Sequence, residues 1–349
     1  MSLKDIINNN LTYWVSADGP ERDIVLSSRI RLARNIEKLN YPNRAKPAER
    51  AEVTKRVIEI LSRQEQVKLH YMDVNDLPVL ERELMVEKHL ISPIHAQEGS
   101  EKGIFLADQE NICIMINEED HIRIQVLMPG LQLGKAWEIA GELDDLLEGK
   151  LDYAFSEKWG YLSTCPTNTG SGLRASVMVH LPALNLTNNI AKMLGAVSQL
   201  GLAVRGLYGE GSESVGNIYQ ISNQLTLGHS EHDIIDNLKG VTKQIIDQEK
   251  QARQLLLQKM EFKVKDQFRR SLGLLKYAYQ ISSQESMKLL SNVKLGIDMG
   301  IIDDVDSGVL SELMVLIRPA HIQKIEGKEL DETARDIKRA ELIQARLNM

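Results

Sequence analysis

Between residues 23 and 31 the apolar Ile24, Leu26 and Ile30 alternate with Asp23, Val25, Ser27, Arg29 and Arg31. Successive side chains of an extended chain point to opposite faces, so a repeat of two predicts a strand. Two more apolar runs, 112–116 and 121–128, flank the acidic link Asn117-Glu118-Glu119-Asp120. Residues 173–181 alternate again, with Ala175, Val177, Val179 and Leu181 on one face. Short alternating segments joined by short links predict an antiparallel sheet. Helical spacing lies between them, over 48–66 and 136–147. Beyond about residue 230 the chain turns helical and stays so. The stretch 234–260 is long and polar with regular leucines, and Ser282-Ser283-Gln284-Glu285 is a capping box opening another helix that Gly300 ends. Asp331 caps a last helix through Arg346. The expectation is an α+β domain over 1–250, an antiparallel β-sheet flanked by helices, followed by an all-helical C-terminal domain over 251–349.

Composition narrows the setting. A hydrophobic content of 43% is ample for a core, and a net charge of −7 lacks the clustered positive charge that nucleic-acid binding needs. No apolar run approaches the roughly 20 residues that span a bilayer, and the first ten residues lack the apolar core of a signal peptide. The two cysteines, Cys113 and Cys165, form no CxxC pair, which suits a reducing cytoplasm and argues against a disulfide scaffold or a cysteine-built zinc site.

Familiar nucleotide signatures fail. Gly130–Lys135 (GLQLGK) has the wrong glycine spacing for a P-loop, and an alternating strand rather than a helix follows the glycines at 170 and 172. What remains is a set of arginines in strand-like segments. Arg29 and Arg31 share one face, about 7 Å apart at a rise of about 3.3 Å per residue. Arg123 follows the acidic link, Arg174 opens the strand at 173, and Arg205 precedes a glycine-rich stretch. A permanently charged side chain is seldom buried without a partner, so arginines near sheet edges imply an anion. Each alone reads equally as a surface ion pair. The acidic link reads either as a solvated turn or as a carboxylate held at a sheet end. The stretch RGLYGEGSESVG, with glycines at 206, 209, 211 and 216, reads as a surface loop or as a closing lid with Glu210 at its tip.

Four segments settle these alternatives by resemblance. LSSRIRLARN (26–35), NEEDHIR (117–123), CPTNTGSGLRASVMVHLP (165–182) and RGLYGEGSESVGNIYQISN (205–223) closely resemble the phosphagen (guanidino) kinases, the creatine and arginine kinase family, in the family's order. The resemblance covers roughly residues 20–230 and implies an ATP-dependent guanidino kinase. It implies that Glu119 is the general base that binds the guanidinium, that Glu210 is its second clamp, and that Glu118 and Asp120 support them. Arg29, Arg31, Arg123, Arg174 and Arg205 match the five arginines that hold the ATP phosphates, with Ser27 in the same motif. Mg²⁺ would arrive with the nucleotide, since no acidic metal cage is evident. Cys165 matches the family's reactive cysteine, in a positioning role. Met178 and Leu106 stand where creatine kinases have nucleotide-contacting histidines, so the adenosine contacts differ.

Two departures point to the branch that acts on protein arginines. Only 26 residues precede Ser27, where small-molecule kinases carry a large helical domain, and a helical region follows the catalytic part. An open site that admits a side chain on a protein is the expectation. In the last helix Arg335 and Arg339 lie one turn apart beside Asp336. That spacing suits an ordinary solvated face, but the RDxxRA string resembles the phosphoarginine-reading motif of that branch and implies an allosteric product site. The same branch implies a zinc-binding activator (McsA), a Clp chaperone that degrades marked proteins, and a homodimer through the helical region. The rival readings are a kinase for a small guanidino compound and a non-catalytic phosphoarginine-binding adaptor.

Overall fold

Strand pairing organises everything else. In the computed structural model, which describes residues 11–65, 67–206 and 214–348, eight strands form one antiparallel sheet. In chain order they are β1 (Val25–Arg34), β2 (Leu69–Asp73), β3 (Gly103–Ala107), β4 (Ile112–Ile116), β5 (Ile122–Pro129), β8 (Leu173–His180), β9 (Leu202–Gly206) and β10 (Ile218–Asn223). Across the sheet the order is β2-β3-β4-β5-β1-β8-β10-β9. β6 (Phe155–Ser156) and β7 (Gly160–Tyr161) make a separate small hairpin. Strands at 25–34, 112–116, 122–129 and 173–180 match the alternating segments to within a few residues, while β2, β3, β9 and β10 are too short or too uniformly apolar to declare themselves by periodicity.

The alternation gives the sheet two unlike faces. Ile30, Leu32, Ile124, Val126, Ala175, Val177 and Ile221 are wholly buried on one of them. Against it packs α4 (Leu133–Glu148), whose Ala136, Ala140, Leu143 and Leu147 fall at helical spacing on its buried side. Each of the two leucines contributes roughly 1.5–3 kcal/mol when taken from water. An ion pair pins this layer. Arg34 lies only 1% exposed and donates from Nε and Nη2 to Asp144 of α4, the latter at 2.6 Å. The Tyr161 ring stacks on its guanidinium at 3.6 Å. Arg34 Nη1 also reaches the Ser171 carbonyl at 3.0 Å. Gly172 beside it adopts φ +66°, and a Cβ there would collide with Arg34 Nη1 and the Ala33 carbonyl. Only glycine fits.

The C-terminal part is helical. Helix α7 (Glu231–Tyr277) opens on a Ser230 cap and departs from helical geometry once, at Met260 (φ −136°, ψ 23°). It runs 17 residues past the 260 expected from periodicity, because apolar Val264, Phe268, Leu272 and Leu275 continue its buried stripe. α8 (Ser283–Asp298) is capped by Ser282, whose hydroxyl accepts from the Glu285 N–H, and a left-handed Gly300 (φ +68°) follows it. α9 (Ser307–Leu316), α10 (Pro319–Glu326) and α11 (Glu332–Leu347) complete it, the last capped by Asp331. One polar network, centred on Arg253 and Glu249, ties this part to the sheet. Arg253 of α7 pairs with Asp23, Glu249 and Asp298. Glu249 in turn accepts from the Ala183 and Leu184 amides, at the start of α5 (Pro182–Leu186).

Candidate active site

The second sheet face carries Ser27, Arg29 and Arg31, and strand register decides what lies beside them. Arg31 faces Arg174 on β8 and Gln125 on β5. Arg29 faces Ser176, and Arg123 faces Ala33. Ser27, 2% exposed, faces Met178, which faces Gln220, which faces Arg205. Opposite side chains of antiparallel strands have Cβ atoms about 4.5–5.5 Å apart, and like charges so placed repel. The five sequence-matched arginines therefore converge on one concentrated positive surface. Burial, then Arg123 and Arg174, lower the Arg29 guanidinium to about 10. Burial and the arginines at 29, 123 and 174 push Arg31 well below its usual value, offset only by Glu118. Arg31 Nε is buried and lacks a hydrogen-bond acceptor among the described residues. A surface that costs this much to hold charged is matched to a polyanion such as a nucleotide polyphosphate.

The acidic link divides its three carboxylates by environment. Asn117, in left-handed conformation at φ +56°, starts the turn, and its amide group donates to the Arg50 and Glu101 carbonyls and the Thr54 hydroxyl. Glu118 is buried. Burial alone would raise its carboxyl, but Arg123 at 2.6 Å, the Ser92 hydroxyl and the Glu119 N–H hold it below the usual range. Asp120 is wholly buried and accepts from Asn35, Ser163 and the Thr164 N–H. Glu119 alone faces outward, its side chain 39% exposed, touching Arg123 Nη2 at 3.1 Å. A carboxylate so placed can take a cation from solvent while its neighbours fix the backbone.

Asp120 also fixes the segment leading to Cys165. The Cys165 N–H donates to Ser163 Oγ at 3.3 Å, and its sulfur lies 3.1 Å from Thr167 Oγ1, part-exposed at the start of a short 3₁₀ turn. Glu210 lies outside the described residues. Met178 is buried beside Ser27, and Leu106 sits in a small apolar cluster with Met72, Leu90 and Cys113. Among the described residues no group of three or more His, Cys, Asp or Glu side chains gathers to hold a metal.

The helical motif is bonded within the C-terminal part. Arg339 is 1% exposed and donates to the Ile317 carbonyl (2.6 Å), the Ile281 carbonyl (2.9 Å) and Asp336. Arg335 donates to the Leu330 carbonyl at 2.7 Å.

Three further residues shape the site with little or no local signature in the sequence. Gln220 accepts from Arg29 Nη2 at 2.7 Å, so the anion-facing arginine is oriented by a neutral group. Its signal was the polar alternation of Gln220 and Ser222 within β10. Ser92 buttresses Glu118, and nothing in its local sequence says so. Arg318 of the helical region donates to the Glu87 carbonyl at 2.7 Å and lies 3.4 Å from His89, whose imidazole is driven well below its normal range by burial, Arg318 and Arg29. The 229 residues separating Arg318 from His89 hide that contact from any local pattern.

Comparison with known proteins agrees with this arrangement. Residues 52–252 match the ATP:guanido phosphotransferase C-terminal catalytic domain, and residues 261–349 match the protein-arginine kinase McsB C-terminal domain. A protein-arginine kinase of Halothermothrix orenii is 70% identical over all of both chains, and one of Bacillus subtilis is 49% identical over all of this chain and 97% of its own. A lombricine kinase crystal structure superposes with a TM-score of 0.59 at 27% identity, over 70% of each chain. With an antiparallel sheet that gathers the arginines and holds Glu119 in the turn between β4 and β5, the chain belongs to the ATP:guanido phosphotransferase family, and its C-terminal part to the McsB C-terminal domain family.

Proposed function

We propose that this enzyme transfers the γ-phosphoryl group of ATP to arginine side chains of proteins. The observation that carries the reading is the outward Glu119 set against Arg123 at the margin of the arginine surface. A guanidinium with a pKa above about 12 is a poor nucleophile. Glu119 binds its N–H groups, aims one nitrogen at phosphorus, and accepts the proton as the N–P bond forms and the bond from phosphorus to the bridging oxygen of ADP breaks. Glu118 and Arg123 keep Glu119 from swinging away. The arginines at 29, 31, 123, 174 and 205, with Ser27, orient the polyphosphate and stabilise charge building on the transferring group. Mg²⁺ carried on the nucleotide supplies further charge neutralisation. Glu210 acts as the second clamp on the guanidinium, and Cys165 positions it.

The same reading assigns residues 1–250 to catalysis and 251–349 to dimerisation and product sensing. The family of the C-terminal part supports it. Phosphoarginine would bind at Arg335, Asp336 and Arg339 by displacing their present carbonyl and carboxylate contacts. A cytoplasmic enzyme that works with McsA as activator and marks proteins for a Clp chaperone completes the proposal, and the fact that no described helix is long and apolar enough to cross a membrane is compatible with it. The test is mass spectrometry at neutral or basic pH, since the P–N bond is acid-labile, after incubation of an unfolded protein with MgATP. Glu119→Gln should lose phosphoarginine formation with an unchanged melting temperature. Full transfer by that variant removes Glu119 from the chemistry, and transfer to free arginine alone favours a small-molecule kinase.

A further inference from the structure

A cavity of about 710 Å³ lies between α3 (Val79–Glu87), the segment around Pro93 and the first turn of α10. Its lining combines apolar Val79 and Pro93 with three carboxylates, Glu83, Glu87 and Glu98, against a single guanidinium, Arg82. Val79 is 60% exposed on the groove wall. Arg82 is 6% exposed, with Nη1 donating to the Ala96 carbonyl and Nη2 to Glu98. Its Nε–H is without an acceptor among the described residues. Glu87 is committed to α10 through the Ala320 and His321 amides and the His321 ring, which makes that wall rigid. Glu83 is exposed and has no ion pair among the described residues.

One wall of the groove is anchored beside the acceptor site. Pro93 follows Ser92, whose hydroxyl donates to Glu118, the neighbour of Glu119. That single hydrogen bond ties the groove wall at Pro93 to the residue next to Glu119. We propose that the groove seats the segment of the substrate polypeptide flanking the acceptor arginine, favouring an apolar residue with basic neighbours. This rests on the reading that proteins are the substrate. An excess of carboxylates on the wall complements a cationic arginine-bearing chain and repels an acidic one. The apolar Val79, Val86 and Pro319 on the same wall suit side chains of an extended chain rather than a small molecule.

The experiment uses the full chain with MgATP and the double variant Val79→Lys/Glu83→Lys, both positions exposed and outside the catalytic set. Initial rates are compared on an unfolded arginine-rich protein and on a blocked single arginine, acetyl-arginine amide. The expected result is a rise of about tenfold in KM for the protein, with kcat, KM for ATP and the rate on the blocked arginine unchanged. An unchanged protein KM, or equal losses on both acceptors, overturns the proposal. So does a change in sedimentation of the variant, which would make the groove a seat for a second copy. If the unsubstituted enzyme phosphorylates only the small acceptor, the reading of protein substrates fails first and the groove falls with it.

Discussion

Replacing Gln220 by Glu tests the arginine surface with almost no change of shape. Gln220 Oε1 already accepts from Arg29 Nη2 at 2.7 Å, so the variant converts a neutral hydrogen bond into an ion pair in place. A phosphate on the far side of the Arg29 guanidinium would lie about 7 Å from the new carboxylate. With an effective dielectric of about 20 the added repulsion is about 2.4 kcal/mol. Screening by salt and by water in the open site reduces this to about half, so KM for ATP should rise roughly tenfold and no more than about fiftyfold. Stability should move the other way. The new negative charge relieves repulsion among Arg29, Arg123 and Arg174, and should add about 1 kcal/mol, seen as a melting temperature about 1–2 °C higher without nucleotide. ATP titrations at low and moderate salt, with thermal melts of both proteins, read the two effects separately. A higher melting temperature with an unaltered KM for ATP would mean that the polyphosphate binds elsewhere, and the reasoning about the whole surface would be refuted.

Two predictions concern the frame that holds the site. Asp144→Asn strips the buried Arg34 guanidinium of its countercharge and should lower unfolding free energy by about 3–5 kcal/mol, visible as a shifted urea midpoint. A loss below about 1 kcal/mol would show that the pair does not secure α4. His180 lies wholly buried with Nε2 2.8 Å from Ser291 Oγ, and burial, Lys294 and Arg253 hold its imidazole well below the usual value. The unfolded chain binds this proton below about pH 6.5 while the folded chain does not, so the residue's contribution to stability falls as pH drops through that window. The stability difference between the unsubstituted protein and His180→Asn should therefore shrink by up to about 1.4 kcal/mol per pH unit from 6.5 downward; a difference flat between pH 5 and 7 excludes a neutral buried imidazole.

Much of this molecule was readable in one dimension because its rules are local. Alternation at 25–34 and 173–180 comes from side chains leaving a strand on opposite sides, and the caps at Ser282 and Asp331 act within three residues. The acidic link was legible for the same reason: four polar residues between two apolar runs leave little choice but a tight turn. The residues assigned to chemistry came from the family resemblance rather than from spacing, since each arginine alone looked like an ordinary surface charge.

Sequence alone thus determined four of the strands, the caps at Ser282 and Asp331, and the parity that sends Arg29 and Arg31 to one side. It could not say which side was core. Arg34, in the same motif, proved to be a buried tie to Asp144, and only the packing of α4 made its face the interior. Register between distant strands decided that Arg31 meets Arg174 and that Gln220 steadies Arg29. Burial separated Glu118, Glu119 and Asp120 into brace, reactive group and anchor, although the three are adjacent in the chain. Pairing and burial depend on which surfaces meet after the chain has closed loops of a hundred residues or more. No property of a short segment encodes that, so the site's charge and geometry belong to the tertiary structure.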